Sequence, residues 1–326
     1  MQRLALVMLV LALAAACKKK ADQAPAATGS GTAAGTAVSA ADAAAAAAAA
    51  TDLVARGEYV AGLGGCPVCH TPLDASGVAP DRARAYAGGL EVTEVFGTWR
   101  APNITPDRET GIGAWSDEEI TAAIREGKRR DGSMLKAVMP YTFYAGMSDD
   151  DVQALVAYLR SLPPVVNKTE RLVPPLPDVP APALPRVDVK DDPVKHGQYL
   201  AGLMHCALCH TPVGPNGPEL DKLFAGGVPI AVPPAFGSGV LYSSNITNDV
   251  ATGIGKWTED DVIKAVRMTV RPDNRPILGP MMLYVPYWSR MTDADARAVA
   301  AYIKSVPAVA YTVPASTFKP AVPPAP

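Results

Sequence analysis

Two pentapeptides of one type carry the chemistry of this chain: Cys66-Pro67-Val68-Cys69-His70 and Cys206-Ala207-Leu208-Cys209-His210. Two cysteines three positions apart reach both vinyl groups of one porphyrin and form thioethers, and the histidine that follows is placed to ligate the iron. The pattern is a c-type haem attachment signature. Two covalently attached haem c groups are therefore expected, with Cys66, Cys69, Cys206 and Cys209 as thioether residues and His70 and His210 as axial ligands. Two other readings of paired cysteines are set aside. A thioredoxin-like dithiol sits at a helix start in a βαβ unit, and no β-branched runs flank these motifs. A zinc site needs four ligands at zinc spacing, whereas each pair here is followed at once by His and no third pair exists.

The sixth position on each iron decides what the site does. An open position binds and activates small molecules, and a filled one transfers electrons. Met139-Pro140-Tyr141 offers a thioether in the first half, and Pro280-Met281-Met282 stands in the corresponding place of the second. Trp115 to Met139 is 24 residues, and Trp257 plus 24 is Met281. Counted back from the last helix, Met139 lies 9 before Ser148, and Thr292 minus 9 is Leu283, so a two-residue insertion falls after the ligand. Met281 is the expected ligand, with Met282 as the alternative. Met134, Met147, Met268 and Met291 read as core filler. His205 abuts its own attachment cysteine, too close to swing to the far face. His196 aligns with Arg56 and reads as a surface residue.

The elements that must position these residues occur twice, with a period near 140. Arg56-Gly57-Glu58-Tyr59-Val60-Ala61-Gly62 is answered by His196-Gly197-Gln198-Tyr199-Leu200-Ala201-Gly202. Thr71-Pro72, Ala87-Gly88-Gly89, Asn103-Ile104-Thr105 and Trp115 are answered by Thr211-Pro212, Ala225-Gly226-Gly227, Asn245-Ile246-Thr247 and Trp257. Ser116-x-x-Glu119 is a capping box ahead of Ile120, Ala123 and Ile124, and Thr258-x-x-Asp261 starts the equivalent helix. Ser148 and Thr292 start final helices that stop before Pro163 and Pro307. No strand pattern is convincing. The expected fold is mainly α: two tandem domains of short helices and long loops around a covalent haem. The expected bounds are 51–165 and 190–312, with a Pro-rich linker at 166–189 and a Pro-rich tail at 313–326.

Residues 1–16 read as a signal peptide: Arg3, an apolar run from Leu4 to Leu13, then Ala14-Ala15-Ala16. Cys17 follows in a lipobox-like context and is the expected lipidated N-terminus, with 17–50 a low-complexity tether whose Ala run can be helical. The alternative is plain cleavage that leaves Cys17 free. Export agrees with haem attachment, which takes place outside the bacterial cytoplasm. Formal net charge is −2, falling to −3 when the leader and its one Arg are removed, so there is no basic footprint for nucleic acid. Five Phe in 326 residues is thin for side-chain cores alone, a gap that a buried porphyrin fills.

C-x-x-C-H-T-P, A-G-G, N-I-T-P-D with T-G-I-G-x-W-S, M-P-Y, M-S-D-D-D and A-Y-L-R-S-L-P together resemble the class I cytochrome c domains of bacterial multi-haem cytochrome subunits, which partner periplasmic alcohol, aldehyde and gluconate dehydrogenases. The chain departs from that family in having two attachment motifs where three are common, and in lacking Met-Pro-Tyr in the second copy. The resemblance implies that the Tyr59 and Tyr158 helices cross at small residues such as Gly62, with Tyr199, Gly202 and Tyr302 equivalent. It implies that Asn103, Asn245, Trp99 and Arg100 lie near haem propionates. A carbonyl acceptor for each proximal His is expected, with Pro80 and Pro218 as candidates.

The function expected is a dihaem electron carrier on the periplasmic side of a bacterial membrane. It would link a dehydrogenase or quinol-oxidising donor to a terminal oxidase or reductase. The alternatives are a dihaem enzyme, such as a peroxidase or a thiosulfate-oxidising cytochrome with one open or non-Met haem, and a subunit that docks an enzyme to the membrane. No catalytic acid–base pair or nucleophile stands out. The acidic runs Asp149-Asp150-Asp151 and Glu259-Asp260-Asp261 read as complements to helix dipoles.

Overall fold

Each pentapeptide coils into a single helical turn, and the helices around it occur in the same order twice. The computed structural model describes residues 40–94, 97–215, 217–230 and 237–320. The first copy runs α1 (Ala40–Leu63), α2 (Cys66–His70), α3 (Asp117–Glu126), α4 (Tyr141–Tyr144) and α5 (Asp149–Ser161). The second runs α6 (Pro193–Leu203), α7 (Cys206–His210), α8 (Glu259–Met268), α9 (Met281–Trp288) and α10 (Asp293–Ser305). The described residues from Ala44 onward belong to one compact unit. The signal segment, Cys17 and the tether as far as residue 39 lie outside the described residues, as does the tail beyond Pro320. The alanine run is helical from Ala40 and continuous with the rest of α1.

The capping residues act as their types dictate. Ser116 Oγ accepts from the Glu119 N–H while the Glu119 carboxylate accepts from the Ser116 N–H, and Thr258 with Asp261 repeats the box ahead of α8. Ser148 and Thr292 cap α5 and α10 by accepting from the N–H groups of Asp151 and Asp295. The acidic runs occupy first helical turns, where negative charge is favourable.

Strands missing from the sequence reading exist, among the described residues, as four short antiparallel pairs. Glu91–Glu94 pairs with Gly97–Arg100, Val213–Gly214 with Gly217–Pro218, Pro229–Ile230 with Leu241–Tyr242, and Gly237–Ser238 with Lys319–Pro320. Three of these pairs are runs of two residues, too short to leave an alternating pattern.

The glycines at which the long helices cross are not those the family resemblance implied. A Cβ on Gly57 would lie 2.0 Å from the Ala154 carbonyl oxygen, and one on Gly197 would lie 1.8 Å from that of Ala298. These two glycines let α1 meet α5 and α6 meet α10. Gly62 instead faces Tyr287 of the second copy, and Gly202 has no neighbour within 4 Å.

The two copies share their hydrophobic clusters. The first cluster contains Val60, Ile120, Tyr144 and Leu155 and takes in Leu203 from α6; the second contains Leu200, Val262, Trp288 and Val299 and takes in Leu63 from α1. Polar contacts repeat the exchange. Tyr199 Oη donates to Asp151 Oδ2 (2.6 Å), and Tyr59 Oη donates to Asp295 Oδ2 (2.5 Å). Arg56 holds Asp151 through Nε (2.7 Å) and Nη2 (2.9 Å). His196, in the place of Arg56, holds Asp295 through Nε2 (2.9 Å) and Asp188 through Nδ1 (2.6 Å). His196 is 8% exposed, so it is a buried bridge between two carboxylates rather than the surface residue the alignment suggested.

Candidate functional site

In each copy one loop holds the proximal histidine. His70 Nδ1 lies 2.8 Å from the Pro102 carbonyl oxygen, and His210 Nδ1 lies 2.8 Å from that of Ser244. A carbonyl only accepts, so Nδ1 carries the proton and the lone pair stays on Nε2, free for a metal. Burial lowers the pKa of both imidazoles against the opposing pull of that bond, which keeps them neutral. The acceptors are therefore Pro102 and Ser244, and not Pro80 or Pro218. Pro80 pairs with Leu73, and Pro218 with Val213.

The residue after each acceptor explains why the loop stays in place. Asn103 Oδ1 accepts from the Thr105 N–H (2.9 Å) and Oγ1 (2.8 Å), and its Nδ2 donates to Thr110 Oγ1 (3.0 Å) and the Val165 carbonyl (2.8 Å). Asn245 repeats this with Thr247, Thr252 and the Val309 carbonyl. Each amide N–H of these side chains thereby has a partner within the protein, in the loop itself or in the segment after the last helix, so neither Asn is free for a propionate as the resemblance implied. The Ala-Gly-Gly motif passes under the same loop. Gly88 (φ 72°) and Gly226 (φ 76°) adopt left-handed backbone, and a Cβ there would fall 2.3 and 2.4 Å from the Pro102 and Ser244 carbonyl carbons.

The cysteines lie in apolar surroundings. Burial pushes the thiol of Cys66 up to about 12, that of Cys69 to about 11 and that of Cys206 to about 12. A redox dithiol needs an accessible low-pKa thiolate, which these are not. Among the described residues no group of three or more His, Cys, Asp and Glu is arranged to hold a metal ion.

Met139 packs on the same cluster as Cys66 and Trp115, and Met281 on that of Cys206 and Trp257. Met282 is 48% exposed and Leu283 is 50% exposed on the outer side of α9. Met147 and Met291 are buried core residues, but Met268 is exposed and fills no core. His205 is buried, with its ring 6.4 Å from that of Tyr144 and 5.8 Å from that of Tyr284.

Trp99 Nε1, which the resemblance placed near a propionate, is buried without a hydrogen-bond partner within the protein, as are Arg125 Nε, Arg129 Nε and Arg267 Nε. Arg100 is committed elsewhere, to Glu91 (2.5 Å) and Glu170 (3.4 Å). Leu241 stands where Trp99 stands, at the same distance ahead of the Asn, so the second copy has no equivalent indole.

The family model for cytochrome c matches residues 54–163 and again 194–307, once over each attachment motif. The chain belongs to the cytochrome c family. It carries two covalently bound haem c groups and an electron-transfer role at the level of the family. It is 36% identical over 283 residues to the cytochrome c subunit of a quinone alcohol dehydrogenase from Gluconobacter oxydans, covering 79% of this chain and 55% of the relative. It is 36% identical over 284 residues to a gluconate 2-dehydrogenase cytochrome c subunit from Pantoea cypripedii, covering 78% and 59%. It is 33% identical over 279 residues to a diheme cytochrome c-type protein from Cereibacter sphaeroides, covering 79% and 88%. The chain thus spans about half the length of the alcohol dehydrogenase cytochrome subunits it matches.

Proposed function

We propose that this cytochrome c is a dihaem electron carrier, itself not catalytic, that accepts electrons from a dehydrogenase and delivers them to a downstream oxidase or reductase. The observation that carries the reading is the pair of neutral histidines, each locked through Nδ1 to a backbone carbonyl with Nε2 left for iron. Cys66 and Cys69 would hold one haem with His70 and Met139 as axial ligands. Cys206 and Cys209 would hold the other with His210 and Met281. Each haem, when bound, supplies a one-electron iron couple. The protein's part is to hold ligands, exclude water and fix charge near the iron. Met281 is favoured over Met282 because it packs inward, on the cluster that includes Cys206.

The dehydrogenase donor is supported by relatives named as cytochrome subunits of alcohol and gluconate dehydrogenases. Export through residues 1–16 and a lipid on Cys17 would place the chain on the periplasmic side of a membrane. No helix among the described residues is long and apolar enough to cross one. Two closed haems exclude carbon monoxide, so the reduced protein is expected not to bind it. Immediate binding at one haem would favour the enzyme reading instead. Cys17→Ala is expected to move the protein from the membrane to the soluble periplasmic fraction, and retention on the membrane would overturn the anchor.

A further inference from the structure

The residue just ahead of each attachment motif touches one and the same tyrosine. Gly65 precedes Cys66, and a Cβ on it would lie 2.4 Å from Cε1 of Tyr284. His205 precedes Cys206, and its ring stands edge-on to that of Tyr284 at 5.8 Å. Tyr284 belongs to α9, the segment that the two-residue insertion lengthens beyond its counterpart α4. Trp288 stacks on Tyr284 at 4.5 Å and 24° and anchors α9 by donating to the Leu63 carbonyl (3.1 Å). On the far side of His205, Tyr144 closes the group and donates to the Gly64 carbonyl (2.6 Å). Two haem attachment turns therefore approach each other with a wall of aromatic rings between them, and most of that wall comes from the second copy.

We propose that Tyr284 and His205 are the positioning residues for electron exchange between the two haems, filling the gap between the two attachment turns with packed rings and keeping water out. The proposal rests on the carrier reading above. Such an exchange would pass one electron from a reduced to an oxidised haem and would make or break no bond and move no proton, so these residues have only to hold the path packed and dry. The wall has the neutrality this needs. Burial lifts the Tyr284 hydroxyl well above its ordinary range and lowers the His205 imidazole to about 4, so neither carries charge at neutral pH. Gly65 is part of the device, since any side chain there would displace the Tyr284 ring.

The test uses the oxidised holoprotein, given less than one electron per molecule by rapid photoreduction and followed as the electron redistributes between the haems. A fast phase independent of protein concentration is expected in the natural protein, and its absence would count against the carrier reading itself. Tyr284→Phe is expected to keep that phase. Tyr284→Leu is expected to lose it while haem content, the iron–methionine absorption and both midpoint potentials stay unchanged. His205→Gly, which copies the first motif and suits the left-handed backbone at that position (φ 42°), is the second variant and is expected to slow the phase as well. An unchanged fast phase in either fully haem-loaded variant would reduce the wall to packing alone and overturn the proposal.

Discussion

Asn103 with four side-chain hydrogen bonds, and Asn245 with five, each hold one carbonyl over a histidine. Replacing Asn103 by Ala leaves buried donors and acceptors unpaired and is expected to cost about 2 kcal/mol, read as a lower midpoint in urea unfolding followed at the haem absorption. An unchanged midpoint would show that the loop holds itself. The attachment pentapeptides were legible in the sequence because their chemistry lies within a few adjacent residues. The acceptors were not, because they lie 32 and 34 residues downstream and are backbone atoms without a signature of their own. His196 was misread for a related reason: alignment with an arginine says nothing about which acids fold against it. Both of its nitrogens face carboxylates, which only accept, so it is held as the cation. Burial opposes the charge, but Asp295 and Asp188 outweigh it and raise the pKa, with Tyr59 and Arg56 completing the group on the facing helix. A raised folded-state pKa gives stability that is complete below the unfolded value near 6.5 and is lost as pH rises through the folded one. Thermal midpoints are therefore expected to fall across that window, and His196→Arg is expected to remove the dependence. A flat profile in the natural protein would contradict this.

Helices α1 and α5 touch at Gly57 with no room for a methyl group. Gly57→Ala must push them apart and is expected to cost about 1–3 kcal/mol, visible as a lower unfolding midpoint. Ser116→Ala removes only a cap and is expected to cost about 1 kcal/mol. If the glycine variant proved no worse than the cap variant, the close crossing would not matter to stability. The capped helices α3, α5, α8 and α10 could be read directly, because a cap and an apolar stripe are local signals. The proline-rich stretches could not. Composition marks residues 166–189 as an extended spacer, yet Asn167 donates to the Ala87 carbonyl, the Val179 carbonyl accepts from Tyr141 and Asp178 pairs with Lys136. The linker is a strap laid along the first copy. The C-terminal tail does the same for the second, through Ser316, Thr317 and the strand Lys319–Pro320. Prolines fix an extended backbone, but only the partner surface decides whether it lies free or flat.

At the scale of the whole molecule the duplication is also an exchange. Leu63 and Leu203 each complete the other copy's core, and Tyr59 and Tyr199 each reach the cap of the other copy's last helix. The copies should therefore unfold together, and Leu203→Ala, expected to cost about 3 kcal/mol, should lower one shared transition. Two separate transitions would show the interface to be incidental. Period and motif order made the duplication readable, but a contact between copies leaves no trace in either repeat alone. The departure of the second copy from Met-Pro-Tyr, which left its ligand open in the sequence, coincides with the longer α9 that sends Tyr284, Tyr287 and Trp288 across to the first copy. The central claim is two closed His–Met haems. The visible spectrum of the oxidised protein tests it directly, through the red charge-transfer band of iron–methionine sulfur scaled to haem content. Intensity for two such bonds, halved by Met281→Ala and untouched by Met282→Ala, is the result expected. Intensity for one bond in the natural protein would contradict the claim and leave one haem open for chemistry.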